Sequence, residues 1–95
     1  MDGKVVIGER LDIWLEAVGK IAAEVCRDLD LDASAFSQWK SGIHRLPLEV
    51  ADEMCRVYKL TLDWIYRGDL ASIADEDLRK KINDVTRRRR RIMVS

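Results

Sequence analysis

Apolar residues in this chain recur with the period of an α-helix, and no strand-like alternation runs longer than Lys4–Ile7. Leu11, Leu15 and Val18 stand at i, i+4 and i+7, and Gly19 is placed to end that helix. Ala22, Val25, Cys26 and Leu29 repeat the pattern in a second, shorter stretch. After Asp30-Leu31-Asp32, Phe36 and Trp39 lie three apart in a third helix that Gly42 closes. Asp32 can cap its free first-turn amides. Pro47, the single proline, suits the first turn of a fourth helix, where its missing N–H costs nothing. That helix turns Val50, Ala51, Met54, Cys55, Val57 and Tyr58 to one wide inward face. Thr61 can cap a fifth, in which Leu62, Ile65 and Tyr66 face inward until Gly68. The pattern predicts an all-α fold with five short helices in residues 1–70.

Residues 71–95 form a second unit with its own logic. Leu78, Ile82 and Val85 make a narrow stripe, with Asp75, Glu76 and Asp77 at the end where the helix dipole favours acids. Basic residues crowd the other end, which the dipole also favours. This predicts an extra C-terminal amphipathic helix, packed on the body or on a second subunit, that runs into a basic tail. Ile92, Met93 and Val94 are expected either to pair as a short strand or to fray.

The charge pattern follows the same division. Seventeen Lys and Arg balance seventeen Asp and Glu, for a formal net charge of zero. Residues 1–70 nevertheless hold nine basic against thirteen acidic residues, a net of −4, and residues 71–95 hold eight against four, a net of +4. Neutrality therefore does not exclude a nucleic-acid partner; it requires that any affinity be local. The basic excess is concentrated in Arg87, Arg88, Arg89, Arg90 and Arg91, a block that reads either as a solubilising end or as a phosphate-binding arm.

Other classes are excluded on composition. Hydrophobic residues at 47% and charged residues at 36% suit a folded chain rather than a disordered one. Ninety-five residues hold one domain and no multi-domain enzyme. At this size dimerisation is a common supplement to a small core. No apolar run approaches the roughly 18 residues of a membrane span. No basic segment followed by an apolar stretch opens the chain, so no secretion signal and a cytoplasmic location are expected. Cys26 and Cys55 read as reduced, buried, small hydrophobes. His44 is the only histidine, so neither a metal site nor a Ser/His/Asp or Cys/His set is expected. With no glycine-rich phosphate loop either, no cofactor is expected and the chain does not read as an enzyme.

Residues 21–42 carry the most information: helix, three-residue turn, helix, glycine. This order is the geometry that lays a second helix in the DNA major groove. Its turn needs a residue tolerant of a positive φ, which Asp30 supplies. Its two helices need a small residue between them, which Cys26 supplies beside Ala22 and Ala23.

Three stretches then resemble one family: Ser37-Gln38-Trp39-Lys40-Ser41-Gly42, Arg45-Leu46-Pro47-Leu48-Glu49, and Leu60-Thr61-Leu62-Asp63-Trp64-Ile65-Tyr66-Arg67-Gly68-Asp69. Together they are similar to the Cro/CI-type (XRE-like) helix-turn-helix DNA-binding regulators, over roughly residues 7–69. The resemblance implies a five-helix lambda-repressor-like domain that binds double-stranded operator DNA as a homodimer. It implies a recognition helix from Ala33 to Ser41, with Ala33, Ser34, Ser37 and Gln38 facing base edges. Gln38 has the best chemistry, since its amide can donate to and accept from the adenine edge. Phosphate contacts are implied for the loop at Ile43, His44 and Arg45, which Lys40 can join; the arginine block Arg87–Arg91, outside the resembling stretch, is a candidate phosphate arm by its charge alone. Phe36 and Trp39 are expected in the core. Trp64 is expected partly exposed near a dimer contact, and Trp14 either at the core boundary or at an interface.

The chain also departs from the family. The glutamine that commonly opens the second helix is Ala22, the acid after the aromatic is Lys40, and the helix-1 arginine that often pairs with it is Leu15. Lys40 is therefore either free to face solvent or DNA, or paired with Glu16. Asp28, Asp30 and Asp32 crowd the entrance to the recognition helix, which predicts a weak core binder. Two functions follow. One is a small sequence-specific transcriptional regulator, a repressor of phage or bacterial type. The other is a helix-turn-helix scaffold turned into a protein-binding module such as an antirepressor, antitoxin or inhibitor.

Overall fold

The computed structural model describes residues 2–94, with side chains through Arg91. Its regular elements are all helical: α1 (Lys4–Val18), α2 (Ala22–Leu29), α3 (Ala33–Lys40), α4 (Leu48–Tyr58), α5 (Leu62–Arg67), a 3-10 turn at Leu70–Ser72, and α6 (Glu76–Val94). No strand occurs among the described residues. None of these helices is long and apolar enough to cross a membrane.

α1 is the strut around which the others are arranged. Its Ile7, Leu11, Trp14 and Leu15 are buried, and α3, α5 and α6 all pack against it. The four residues that alternate in the sequence, Lys4–Ile7, are the first turns of this helix. One turn of Cα spacing, closed by the Ile7 N–H on the Gly3 carbonyl at 3.1 Å, overrides a short alternation. Gly8 brings α3 close: a Cβ at this position would fall 2.6 Å from the carbonyl oxygens of both Trp39 and Lys40. Only a residue without a side chain lets the end of α3 cross α1 so tightly.

The helix ends follow local chemistry. Asp32 accepts from the Ala35 N–H at 3.1 Å and Thr61 from the Trp64 N–H at 3.0 Å, capping α3 and α5 as expected. Asp75 does the same for α6 through the Leu78 N–H at 3.1 Å. At α2 the residue before the helix, Ile21, has no side-chain acceptor, and only Glu24 reaches back to the Ile21 N–H, at 3.1 Å. Pro47 stands just outside α4, not in its first turn. Asp30 takes the left-handed conformation with φ 53° and closes α2, and Leu31 N–H returns to the Cys26 carbonyl at 2.8 Å.

The core joins the six helices. Phe36 from α3, Met54 from α4, Ile65 from α5, and Ile82 and Val85 from α6 are buried in one cluster with the α1 residues. Trp14 lies at its centre, 1% exposed, with its ring 4.8 Å from that of Tyr58. It is core, not interface. Trp39 is half-buried, edge-on to Phe36. Trp64, expected partly exposed, is 4% exposed, since α5 packs between α1, α4 and the 3-10 turn; it borders the cleft between α1 and α6 with Ile13 and Ile82. Val57 and Leu62 are exposed rather than inward; each lies at the rim of a helical face that its neighbours Met54 and Ile65 already fill. Both cysteines are free thiols. Burial first, then the Asp52 charge, pushes the Cys55 thiol up to about 11.

α6 runs unbroken to Val94, so the arginine block is helical and Ile92–Val94 form neither a strand nor a loose end of different structure. Pairs one turn apart, Glu76–Lys80 at 3.5 Å and Asp77–Lys81 at 3.4 Å, support its outer face.

Candidate nucleic-acid interface

The outer face of α3 is set by the same periodicity that buries Phe36. Ala33, Ser34, Ser37 and Gln38 occupy i, i+1, i+4 and i+5 and are all exposed, on the side opposite Phe36. Eight residues at 1.5 Å per residue make α3 about 12 Å long, and no charged side chain stands among these four. The face offers an amide, two hydroxyls and a methyl group.

The end of α3 is fixed by its own backbone. The Gln38 carbonyl accepts from the Ile43 N–H at 2.9 Å and the His44 N–H at 3.2 Å. Gly42, with φ 80°, makes the reversal, and a Cβ there would lie 2.9 Å from the Val5 Cα. His44 is exposed on this loop. Lys4 reaches across to the Ile43 carbonyl at 3.0 Å, tying the loop to the start of α1.

Arg45 is more committed than its sequence position suggests. Both terminal guanidinium nitrogens donate to the Asp2 carbonyl, at 2.8 and 3.0 Å. The Asp2 N–H in turn binds the Tyr66 carbonyl at 2.9 Å, and Arg10 pairs with the Asp2 carboxylate while also donating to the Ile65 carbonyl at 3.0 Å. The Arg10 hydrogen bond holds the Asp2 carboxyl below its ordinary range. Arg45 is thus a strut between the chain start and the loop, and these two bonds leave three of its five N–H donors over. No pattern of neighbouring sequence signals this link, since its acceptor is a backbone oxygen 43 residues away.

Lys40 has a carboxylate partner, but not Glu16. Its ammonium lies 3.7 Å from Asp12, one turn earlier on α1. Glu16 is taken by the arginine block: Arg89 donates to Asp12 at 3.2 Å and Glu16 at 3.1 Å, and Arg88 lies 3.5 Å from Glu16. Arg87, Arg90 and Arg91 are exposed and form no ion pair among the described residues. The block therefore divides into a docked pair and a solvent-facing set.

Acids frame the entrance to α3. Asp28 accepts from the Tyr58 hydroxyl at 3.2 Å and lies 3.8 Å from Lys20. Burial, then this contact with Asp28, pushes the Tyr58 phenol up to about 12. Asp30 and Asp32 are exposed. No group of three or more His, Cys, Asp or Glu side chains fit to hold a metal ion occurs among the described residues. Comparison with family models, curated proteins and solved structures returned no match.

Proposed function

We propose that this chain is a small sequence-specific DNA-binding regulator with a lambda-repressor-like helix-turn-helix fold, acting as a repressor in the cytoplasm. The observation that carries the reading is the joint exposure of Ala33, Ser34, Ser37 and Gln38 on one face of α3, a helix held at a fixed angle by the Gly8 contact. A helix of this size fits the major groove, which is about 12 Å wide. In that pose the Gln38 amide pairs with the N6/N7 edge of an adenine. Ser34 and Ser37 bond to bases or phosphates, and Ala33 meets a thymine methyl. Lys40, His44 and the free donors of Arg45 lie at the end of α3 for the flanking backbone, and Arg87, Arg90 and Arg91 supply long-range attraction. A homodimer would place two α3 helices in successive major grooves of a palindrome, and occupancy of that site would block other proteins sterically.

Selection of bound sequences from a random duplex pool tests this. A short palindrome should emerge, and Gln38→Ala should lose the preference at one base pair per half-site, about tenfold or more. If no duplex binds below micromolar concentration at moderate salt, the regulator reading is wrong.

A protein-binding module is the second reading. It is favoured by Ile21 and Ile43, 63% and 57% exposed at the start of α2 and just after α3, and by the acids at the α2–α3 turn that would repel a nucleic acid. A protein partner that co-purifies and is released by Ile43→Ser would replace the first reading with the second.

A further inference from the structure

Asp12 and Glu16 stand one turn apart on the same face of α1 and gather cations from two other helices. Lys40 comes from the end of α3, at 3.7 Å from Asp12. Arg88 and Arg89 come from the end of α6, with Arg89 spanning both carboxylates. These are the same cations that a duplex backbone would attract. The two carboxylates are half-exposed, at 45% and 46%, so solvent reaches the cluster and each pair is individually weak. α6 does not need them to stay docked up to Val85, since Leu78, Ile82 and Val85 are buried against the body. Beyond Val85 these ion pairs tie the arginine end to α1.

We infer that Asp12 and Glu16 are a charge latch, occupying Lys40, Arg88 and Arg89 in place of phosphates until a nucleic-acid backbone replaces them. The inference rests on the duplex-binding reading but not on operator specificity. Its physical content is competition: each cation released from a carboxylate gains a phosphate and displaces a counterion, so the latch subtracts contacts from the salt dependence of binding. A latched protein binds random duplex weakly and with a shallow salt slope. Where α3 also fits the bases, those added contacts help to open it. The latch thereby widens the difference between specific and random sequence.

The test is titration of the full chain with a random 20-base-pair duplex across a range of KCl concentrations. D12N/E16Q should bind about tenfold more tightly at moderate salt and steepen the log K against log salt slope by about 2. D52N/D63N changes the net charge equally, on α4 and α5, and should leave the slope unaltered. R88A/R89A should flatten the slope more in the D12N/E16Q background than in the wild type. If D12N/E16Q folds poorly by circular dichroism, Glu16→Gln alone should give roughly half the steepening. Equal slopes for D12N/E16Q and D52N/D63N overturn the latch, as does a failure of both to bind at low salt. The two proposals fail separately: a steepened slope without any preferred palindrome removes the regulator and keeps the latch, and a preferred palindrome with unchanged slopes does the reverse.

Discussion

α3 and α6 both lie against α1, yet they are held and dressed in opposite ways. α3 is seated by backbone contact at Gly8 and presents small, uncharged groups. α6 is seated by an apolar stripe and presents cations. Small groups near a fixed backbone can read shape and hydrogen-bonding pattern but attract nothing at a distance. Cations attract any polyanion but distinguish little. On the regulator reading the two tasks are separated on two helices of a chain of zero net charge, and α1 links those helices through Asp12 and Glu16.

The largest effect is expected from undoing the seat of α6. Ile82 is 1% exposed and lines the cleft beside Trp64. Ile82→Ala should cost about 3 kcal/mol of stability, read by chemical denaturation. It should also move Trp64 emission to longer wavelength and speed amide exchange across residues 76–91, with α3 protected as before. Equal loss of protection in α3 would mean that the two helices are one cooperative unit rather than two independent seats.

Gly8→Ala attacks the other seat. The added Cβ meets two backbone carbonyls, which have no flexible end to swing aside, so α3 itself must shift. A stability loss of about 2 kcal/mol is expected. On the regulator reading, operator binding should fall by more than that loss explains, while random-duplex binding, carried by α6, stays near wild type. Parallel loss of both would merge the two tasks that this reading assigns to separate helices.

The seats differ also in how far sequence discloses them. The stripe Leu78, Ile82, Val85 is local and periodic, so the burial of α6 is legible in the spacing of its own residues. So are the caps at Asp32 and Thr61 and the left-handed Asp30, each a matter of three or four residues. Gly8 carries no such signal: nothing in its neighbourhood shows that α3 crosses there. The exposed face of α3 is legible too, since it follows from the burial of Phe36, but the ties of its flanking cations are not. Lys40 with Asp12, Arg89 with Asp12 and Glu16, and Arg45 with the Asp2 carbonyl all join positions that periodicity leaves unrelated. The resemblance to helix-turn-helix regulators assigns Lys40 and Arg45 to phosphate because it aligns them with positions in a pattern, and the charge run does the same for Arg89; neither contains the chain's own acceptors that compete for them.

The smallest effect separates structure from charge at the entrance to α3. Asp32 both caps the helix, through the Ala35 N–H, and adds a negative charge where a nucleic-acid backbone would pass. Asp32→Ala removes both and should cost about 1 kcal/mol of stability. Asp32→Asn keeps an acceptor oxygen for the cap and loses only the charge–dipole interaction, about 0.5 kcal/mol. If the acid opposes a duplex, both variants should bind random duplex more tightly than the wild type by similar factors despite their unequal stabilities. If the cap is what matters, by keeping the first turn of α3 in place, Asp32→Asn should bind as the wild type does and Asp32→Ala should bind more weakly. Denaturation and duplex titration on the two variants therefore decide whether the first turn of α3 serves the interface through its shape or hinders it through its charge.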